Sequence, residues 1–136
     1  MAPPVASATV ARAVAVNATR LPKYGGILPV FQALVHGESR LGGSIHVMTP
    51  EADGGTVIAQ SAFEVGPKMT VYDCYQRSYE DCGPLTVSAL DLIEKKGGSS
   101  LDGVDFGVEV QGPPSYFGPP SSDDWRSFRR SGRRFC

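Results

Sequence analysis

The stretch KMTVYDCYQRSYEDCGPLTVSALDLIEKKGG, residues 68–98, carries two different periods, and the fold turns on how they are read. Its first part, KMTVYDCY, is a short β-branched and aromatic run following Pro67, which reads as a strand. Glu80 to Pro84 then reads as a turn. Beyond it Leu85, Ala89, Leu92 and Ile93 recur at helical spacing, with Pro84 suited to a first helical turn, Lys95 and Lys96 to the last turn and Gly97 to a cap. A strand competes for the same residues, because Leu85, Val87 and Ala89 also alternate.

On the N-terminal side, Val57, Ala59, Phe63 and Val65 alternate with Thr56, Gln60 and Glu64, the two-residue period of a half-buried strand. SIHVM, bounded by Gly43 and Pro50, reads as another strand. Asp53 and Gly54 supply the positive-φ positions of a hairpin between Val47 and Val57. On the C-terminal side, Val104, Phe106, Val108 and Val110 alternate with Asp105, Gly107 and Glu109, after the turn signals Gly97, Gly98 and Gly103. GILPVFQALVHG fits a helix with Pro29 in its first turn or an edge strand equally well. The expected fold is therefore mainly β (α+β), a single small antiparallel sheet, sandwich or barrel-like domain with one or two helices and flexible termini.

With 136 residues there is room for one domain. A flexible basic arm over 1–20, a β-rich body over 21–112 and a disordered Pro/Arg-rich tail over 113–136 leave a core-forming stretch of roughly 90 residues. The net charge of −1 conceals segregation: residues 1–37 hold three cations and no acid, residues 38–124 all 14 acids against five cations, and the last twelve residues five arginines. That order describes an acidic body with two cationic ends. MAPPVASATVARAVAVNATR has the composition of a transit peptide or a loose arm, and its Asn17-Ala18-Thr19 sequon matters only in a secreted chain. Nothing approaches 18 consecutive apolar residues, so no spanning helix is expected.

Neither a catalytic nor a metal motif is visible. His36 and His46 have no Cys or His at metal spacing, Cys74 and Cys82 are too widely spaced for a zinc pair, and His46 belongs on the polar face of its strand. Phosphate-cradling, dinucleotide and nucleophile-elbow glycine patterns are missing as well. No enzymatic activity, metal or cofactor is expected. Three cysteines make no disulfide framework; a strand and turn could bring Cys82 beside Cys74, so a disulfide is geometrically open, but in a reducing cytosol the default is two reduced thiols, one of them buried. Cys136, in RRFC, ends no prenylation signal and is open to palmitoylation.

The tail carries the most specific signal. Pro113, Pro114, Ser115 and Tyr116 spell P-P-x-Y, the ligand pattern of WW domains, in which polyproline II geometry presents Pro113 and Pro114 to an aromatic groove and Tyr116 fills the adjoining pocket. Trp125, Arg126, Phe128, Arg129, Arg130, Arg133 and Arg134 interleave rings with cations, which suits an anionic membrane surface, single-stranded nucleic acid or the acidic body itself. Ser127 and Ser131 lie among these arginines, where phosphorylation would weaken such a contact.

A compact β-rich body, P-P-x-Y at Pro113 to Tyr116 and cationic aromatic termini together resemble the small matrix proteins of non-segmented negative-strand RNA viruses. That resemblance implies a non-enzymatic structural and adaptor protein, a homo-oligomer on the cytoplasmic face of the membrane and in the virion. It further implies that Pro113, Pro114 and Tyr116 recruit a WW-domain ubiquitin ligase as a late-budding motif. The alternative from the arginine tail is a small RNA-binding viral accessory protein.

Overall fold

A computed structural model of the chain describes residues 14–49, 55–96, 101, 104–110 and 112–136. Its principal element is one continuous helix, α2 (Val71–Lys96, 26 residues), which merges the predicted strand, turn and helix of residues 68–98. The start is fixed by Thr70: its Oγ1 accepts from Asp73 N at 3.0 Å while Asp73 Oδ2 accepts from Thr70 N at 2.9 Å, a reciprocal cap. Val71, Cys74, Ser78, Cys82 and Ala89 then fall on one buried face. The apparent turn at Gly83-Pro84 lies on the exposed face, so the carbonyl released by the missing proline N–H looks to water.

The other helices are α1 (Pro29–Val35), with Pro29 in its first turn, and α3 (Ser122–Arg130). Strands are short: β1 (Val14–Asn17), β2 (Gly25–Gly26), β3 (Arg40–Leu41), β4 (Ser44–Val47), β5 (Val57–Gln60), β6 (Phe63–Glu64) and β7 (Tyr116–Phe117). Antiparallel β1-β4-β5 forms the main sheet, β3 pairs antiparallel with β6, and β2 pairs parallel with β7. The mainly β expectation, sandwich or barrel, is therefore replaced by an α/β arrangement in which helices cover small mixed sheets. No described strand exceeds four residues, against 26 in α2.

Several local expectations change for identifiable reasons. The alternating run 57–65 divides into β5 and β6, because Ser61 turns toward Gly43: Ser61 N donates to the Gly43 carbonyl at 3.0 Å and Gly43 N to Ser61 Oγ at 2.8 Å. The pairing of β4 with β5 agrees with the predicted hairpin, whose Asp53-Gly54 tip lies outside the described residues. Residues 104–110 form no strand; Asp105 Oδ1 accepts from Gly107 N at 2.8 Å and Gly107 takes φ +76°, bending the chain. Phe106 is nevertheless buried, and Val110 is exposed.

His46 is buried, not solvated. It lies on the central strand, where α2 covers the Ile45 and Val47 face and the turn after β1 covers the Ser44 face. The suggested Cys74–Cys82 pairing is excluded by the helix: eight residues at about 1.5 Å per residue put them about 12 Å apart along the axis. Both thiols are free and buried, and burial pushes both above the ordinary thiol pKa.

Two apolar clusters flank α2. Val71 and Cys74 join Val30, Phe31, Ala33 and Leu34 of α1 with Leu41, Phe63 and Phe128. Cys82 and Ala89 join Ile45, Val47, Ile58 and Ala59 of the sheet with Leu101 and Phe106. Within the segment expected as an arm, Val14–Asn17 forms β1; within the segment expected as a tail lie β7 and α3.

Candidate functional site

The site grows from the turn that follows β1. Asn17 closes the strand, and its Oδ1 accepts from both Thr19 N (3.0 Å) and Thr19 Oγ1 (2.8 Å), reversing the chain locally. Ser44 of β4 fixes the next step, donating from Oγ to the Thr19 carbonyl at 2.6 Å and accepting from Leu21 N at 2.9 Å. Gln60 of β5 donates to the Leu21 carbonyl at 2.6 Å and to Ser44 Oγ at 3.0 Å. Two neighbouring strands thus hold the turn by side chains, and Arg20, Lys23 and Tyr24 project from a rigid base.

On the far side, Tyr24 takes φ +57° and leads into Gly25-Gly26, which pairs with Tyr116–Phe117. Gly26, at φ +126°, meets the Phe117 carbonyl where a side chain would stand, so only glycine fits. Ser115 completes the seam: its Oγ accepts from Tyr24 N at 2.8 Å and its N–H donates to the Pro22 carbonyl at 3.1 Å. The Phe117 ring stacks on Tyr24 with centroids 5.8 Å apart.

Between this turn and the segment after α1 lies a cleft of about 160 Å³, lined by Thr19, Arg20, Lys23, Tyr24, Glu38, Arg40 and Leu41. Glu38 Oε1 accepts from Tyr24 Oη at 2.8 Å and from Lys23 Nζ at 3.0 Å. Burial acts to raise the Glu38 carboxyl, but the Tyr24 hydroxyl and the Lys23 ammonium outweigh it and hold it below the usual carboxylate range. Burial, followed by the bond to Glu38 and its charge, pushes the Tyr24 phenol well above its ordinary value. At neutral pH the cleft therefore contains a fixed carboxylate and a phenol that keeps its proton. Such groups bind and orient; neither is poised to exchange a proton near neutrality. Pro22, between Arg20 and Lys23 in the chain, lines a second and more apolar groove of about 270 Å³ with Gly55, Thr56, Val57, Val104, Phe106, Val108 and Val110 among its walls.

The residues expected from the tail are distributed differently. Pro113, Pro114 and Tyr116 have exposed side chains, but the backbone of Ser115 to Phe117 is engaged with residues 22–26. Trp125 and Phe128 pack on Phe31, at centroid distances of 4.6 and 5.0 Å, and Phe135 lies 6.3 Å from the same ring. Arg133 donates to the Gly66 and Met69 carbonyls at 3.3 and 3.2 Å, and the Arg134 and Phe135 carbonyls accept from Val71 N and Tyr72 N at the head of α2. Arg126 pairs with Asp123, while Arg129, Arg130 and Arg134 are exposed. The segment thus buries Phe128 and half-buries Trp125 against Phe31, leaves Phe135 exposed at the edge of that cluster, and does not bring its cations together on one surface.

Sequence reasoning passed over Arg20, Lys23, Tyr24, Glu38 and Arg40. The available signal was the paired glycine of LPKYGG beside two charges. The partner carboxylate, however, stands 15 residues from Lys23, on the other side of α1, and only the fold joins them. Among the described residues no group of three or more His, Cys, Asp and Glu could hold a metal ion, and no helix is long and apolar enough to cross a membrane.

Fold and cleft together define an α/β domain with an ion-paired recess at the end of its first strand. The chain belongs to the formyl transferase family, whose sequence profile, “Formyl transferase”, matches residues 2–90. Methionyl-tRNA formyltransferase of Moorella thermoacetica is 32% identical over 77 residues, covering 57% of this chain and 25% of that protein. The same enzyme of Staphylococcus aureus strain Newman is 27% identical over 124 residues, 90% of this chain and 38% of that one. The solved N-formyltransferase of Helicobacter canadensis, in complex with folinic acid and dTDP-3-aminofucose, shares the fold with a TM-score of 0.65 at 18% identity, over 87% of this chain and 46% of that chain. The chain thus spans less than half the length of each.

These findings overturn the viral matrix resemblance and what it implied: a non-enzymatic adaptor, a WW-domain ligase partner, an anionic membrane, a self-assembling virion layer or a viral RNA-binding accessory role. The resemblance rested on a four-residue motif in a proline-rich segment, whereas the family match extends over residues 2–90, more than half of the chain.

Proposed function

We propose that this chain is a formyltransferase domain that takes part in tetrahydrofolate-dependent transfer of a formyl group to an amine, in the cytoplasm. The observation that carries this reading is the family match over residues 2–90, extended by the Staphylococcus enzyme's identity over 90% of the chain. The Helicobacter enzyme's complex supplies the two partners, a formylated folate and an amino sugar nucleotide; the methionyl-tRNA enzymes name a different acceptor.

In such a transfer the amine nitrogen attacks the formyl carbon, the bond from that carbon to the folate nitrogen breaks, and a proton passes from the attacking nitrogen to the leaving one. The two recesses divide the binding work. A cleft of about 160 Å³ is below the range of about 300 Å³ and upward that encloses a drug-sized ligand, so it takes one polar end of a substrate and not a folate. The groove of about 270 Å³ beyond Pro22, also short of that range, has room for part of a folate only, and its walls of Val57, Val104, Phe106 and Val108 have the apolar character that the flat ring system needs. Glu38, Lys23 and Tyr24 orient what enters the cleft, and proton movement belongs to groups other than these three.

The test is binding of folinic acid to the purified chain by calorimetry, alongside transfer of formyl from 10-formyltetrahydrofolate to methionyl-tRNA and to dTDP-3-aminofucose. Saturable folinic acid binding that weakens on Val57→Asp, with a native melting curve, is the expected result. Absence of both binding and transfer sinks the reading.

A further inference from the structure

We propose that the cleft beside β1 is a phosphate subsite, in which Arg20 takes the anion with Arg40 and Lys23 at its sides. The inference rests on the reading of this cleft as a substrate-binding recess and adds the chemical class of the group it holds.

Arg20 is the central observation. Its Nε is buried and donates to no acceptor, and among the described residues the side chain has neither a hydrogen bond nor an ion pair. The Nε itself is closed to solvent, so an anion entering the cleft would meet the terminal N–H groups of a guanidinium that spends no donor on the described residues around it. The side chain lines the cleft, and its place is fixed by the bonds that lock Thr19 and Leu21 to Ser44 and Gln60. A guanidinium so held offers its parallel N–H groups to two oxygens at once, the geometry that carboxylates and phosphates share.

Charge selects between those two. The lining carries Arg20, Lys23 and Arg40 against Glu38 alone. Glu38 stays ionised and is taken up by Lys23 and Tyr24, so it cannot satisfy Arg20 as well at Oε1. Arg40 has a loose contact with Glu64 at 3.8 Å, with both side chains largely exposed, which holds it weakly. Three cations facing one carboxylate leave an excess of two positive charges, the complement of a phosphomonoester dianion more than of a single carboxylate. Lys23 serves both signs: its ammonium, anchored on Glu38, has further protons to donate.

The experiment titrates the whole chain with inorganic phosphate, with ribose 5-phosphate and with acetate, following phosphorus NMR and calorimetry at low and high salt. Folinic acid binding is measured on the same samples. Saturable phosphate and phosphomonoester binding, weakened about tenfold or more by Arg20→Met and less by Arg20→Lys, is expected. Arg40→Gln should weaken it to a smaller degree, and Arg129→Gln with Arg130→Gln, on the exposed side of α3, should leave it unchanged. A normal melting temperature for each variant keeps the comparison valid, and the Lys variant serves where the Met variant unfolds. Equal binding by Arg20→Lys, Arg40→Gln and wild type, loss on changing the α3 arginines, or acetate binding as tightly as phosphate would each overturn the proposal. Folinic acid binding without phosphate binding removes the subsite and leaves the formyl transfer reading standing. Phosphate binding without folinic acid binding does the reverse.

Discussion

The two halves of α2 bury their common face against different kinds of core. The N-terminal half, through Val71 and Cys74, meets α1 and an aromatic group in which Phe31 touches Trp125, Phe128 and Phe135, residues about a hundred positions away in sequence. The C-terminal half, through Cys82 and Ala89, lies on the aliphatic face of β4 and β5. The first contact is closed by the last residues of the chain, the second by strands that precede the helix. A single rod shared by two cores makes the cleft a dependent structure, because Ser44 and Gln60 of the sheet end hold the turn that forms one wall and the segment after α1 at the aromatic end forms the other.

The comparison breaks most severely at Phe31, which is fully buried at the centre of the aromatic end. Phe31→Ala should cost about 3–5 kcal/mol, because the ring's transfer energy and its cavity add. Denaturant unfolding measures the loss, and Trp125 fluorescence should move with it, since the two rings are 4.6 Å apart. A loss below about 1 kcal/mol would mean that the tail does not seal this end. Unfolding should remain a single transition by both fluorescence and far-UV dichroism, because α2 belongs to both cores.

The sheet end has a sharper constraint at Gly43, where an added Cβ would collide with Cys82 Sγ and crowd the Ser78 carbonyl. Gly43→Ala should destabilise by about 1–3 kcal/mol through overpacking. Combining it with Cys82→Ala, which removes the opposing sulfur, should recover part of that loss, so that the double change costs less than the two single ones summed. Strict additivity in urea titrations would show that helix and strand do not approach so closely.

Much of this was legible in the sequence, but in fragments. SIHV, VIAQ and FE were readable as extended from their β-branched and apolar residues, although only FE alternates in burial: SIHV is buried throughout and VIAQ at Ile58 and Ala59. The helical spacing of Leu85, Ala89, Leu92 and Ile93 was equally plain. What hid α2 was Gly83-Pro84, ordinary breakers that are harmless here because they face solvent, together with the β-branched and aromatic residues Val71 and Tyr75, whose strand propensity is overridden by packing in the cluster on α1. Alternation from Val104 to Val110 misled in the opposite direction, since Asp105 and Gly107 bend the chain whatever the hydrophobic pattern. The cleft was the least legible part. Its ion pair spans α1, its backbone seam joins residues 22–26 to 115–117, and no local pattern encodes either distance.

The next effect separates the α3 cap from the rings that α3 delivers. Ser121 Oγ accepts from Asp124 N at 3.1 Å, and Asp124 Oδ2 accepts from Ser121 N at 2.9 Å and from Gln32 Nε2 of α1 at 3.2 Å. Ser121→Ala should cost about 0.5–2 kcal/mol by thermal melting. The backbone N–H of Ser121 and the Gln32 amide hold the Asp124 carboxyl below its ordinary range, as Tyr24 and Lys23 do for Glu38 against its burial. A carboxyl lowered by folding adds stability above its unfolded pKa and loses it as pH falls through the folded value. The melting temperature should therefore hold on the neutral side and decline below the usual carboxylate range. Asp124→Asn should make that decline shallower, and an unchanged acid limb would show that the cap carries no charge-linked stability.

Smallest of all should be the response at the exposed end of α2, where Lys95 Nζ meets Asp91 Oδ2 at 2.8 Å with side chains 70% and 55% exposed. The spacing and the order of acid before base favour an i,i+4 pair, but at that exposure water and salt screen most of the attraction, and two long side chains must be held still to keep it. Lys95→Ala should therefore change stability by no more than about 0.5 kcal/mol, and less at high salt. Ala89, six residues earlier on the buried face, offers the contrast: Ala89→Leu forces extra volume between the helix and Ile45, Val47 and Ile58, and should cost about 1–3 kcal/mol. Measured together by denaturant titration, the two changes ask whether the sheet end of α2 is held by its apolar face or by its surface charges. A Lys95 effect as large as the Ala89 effect would reverse the answer and assign the helix's register to the ion pair.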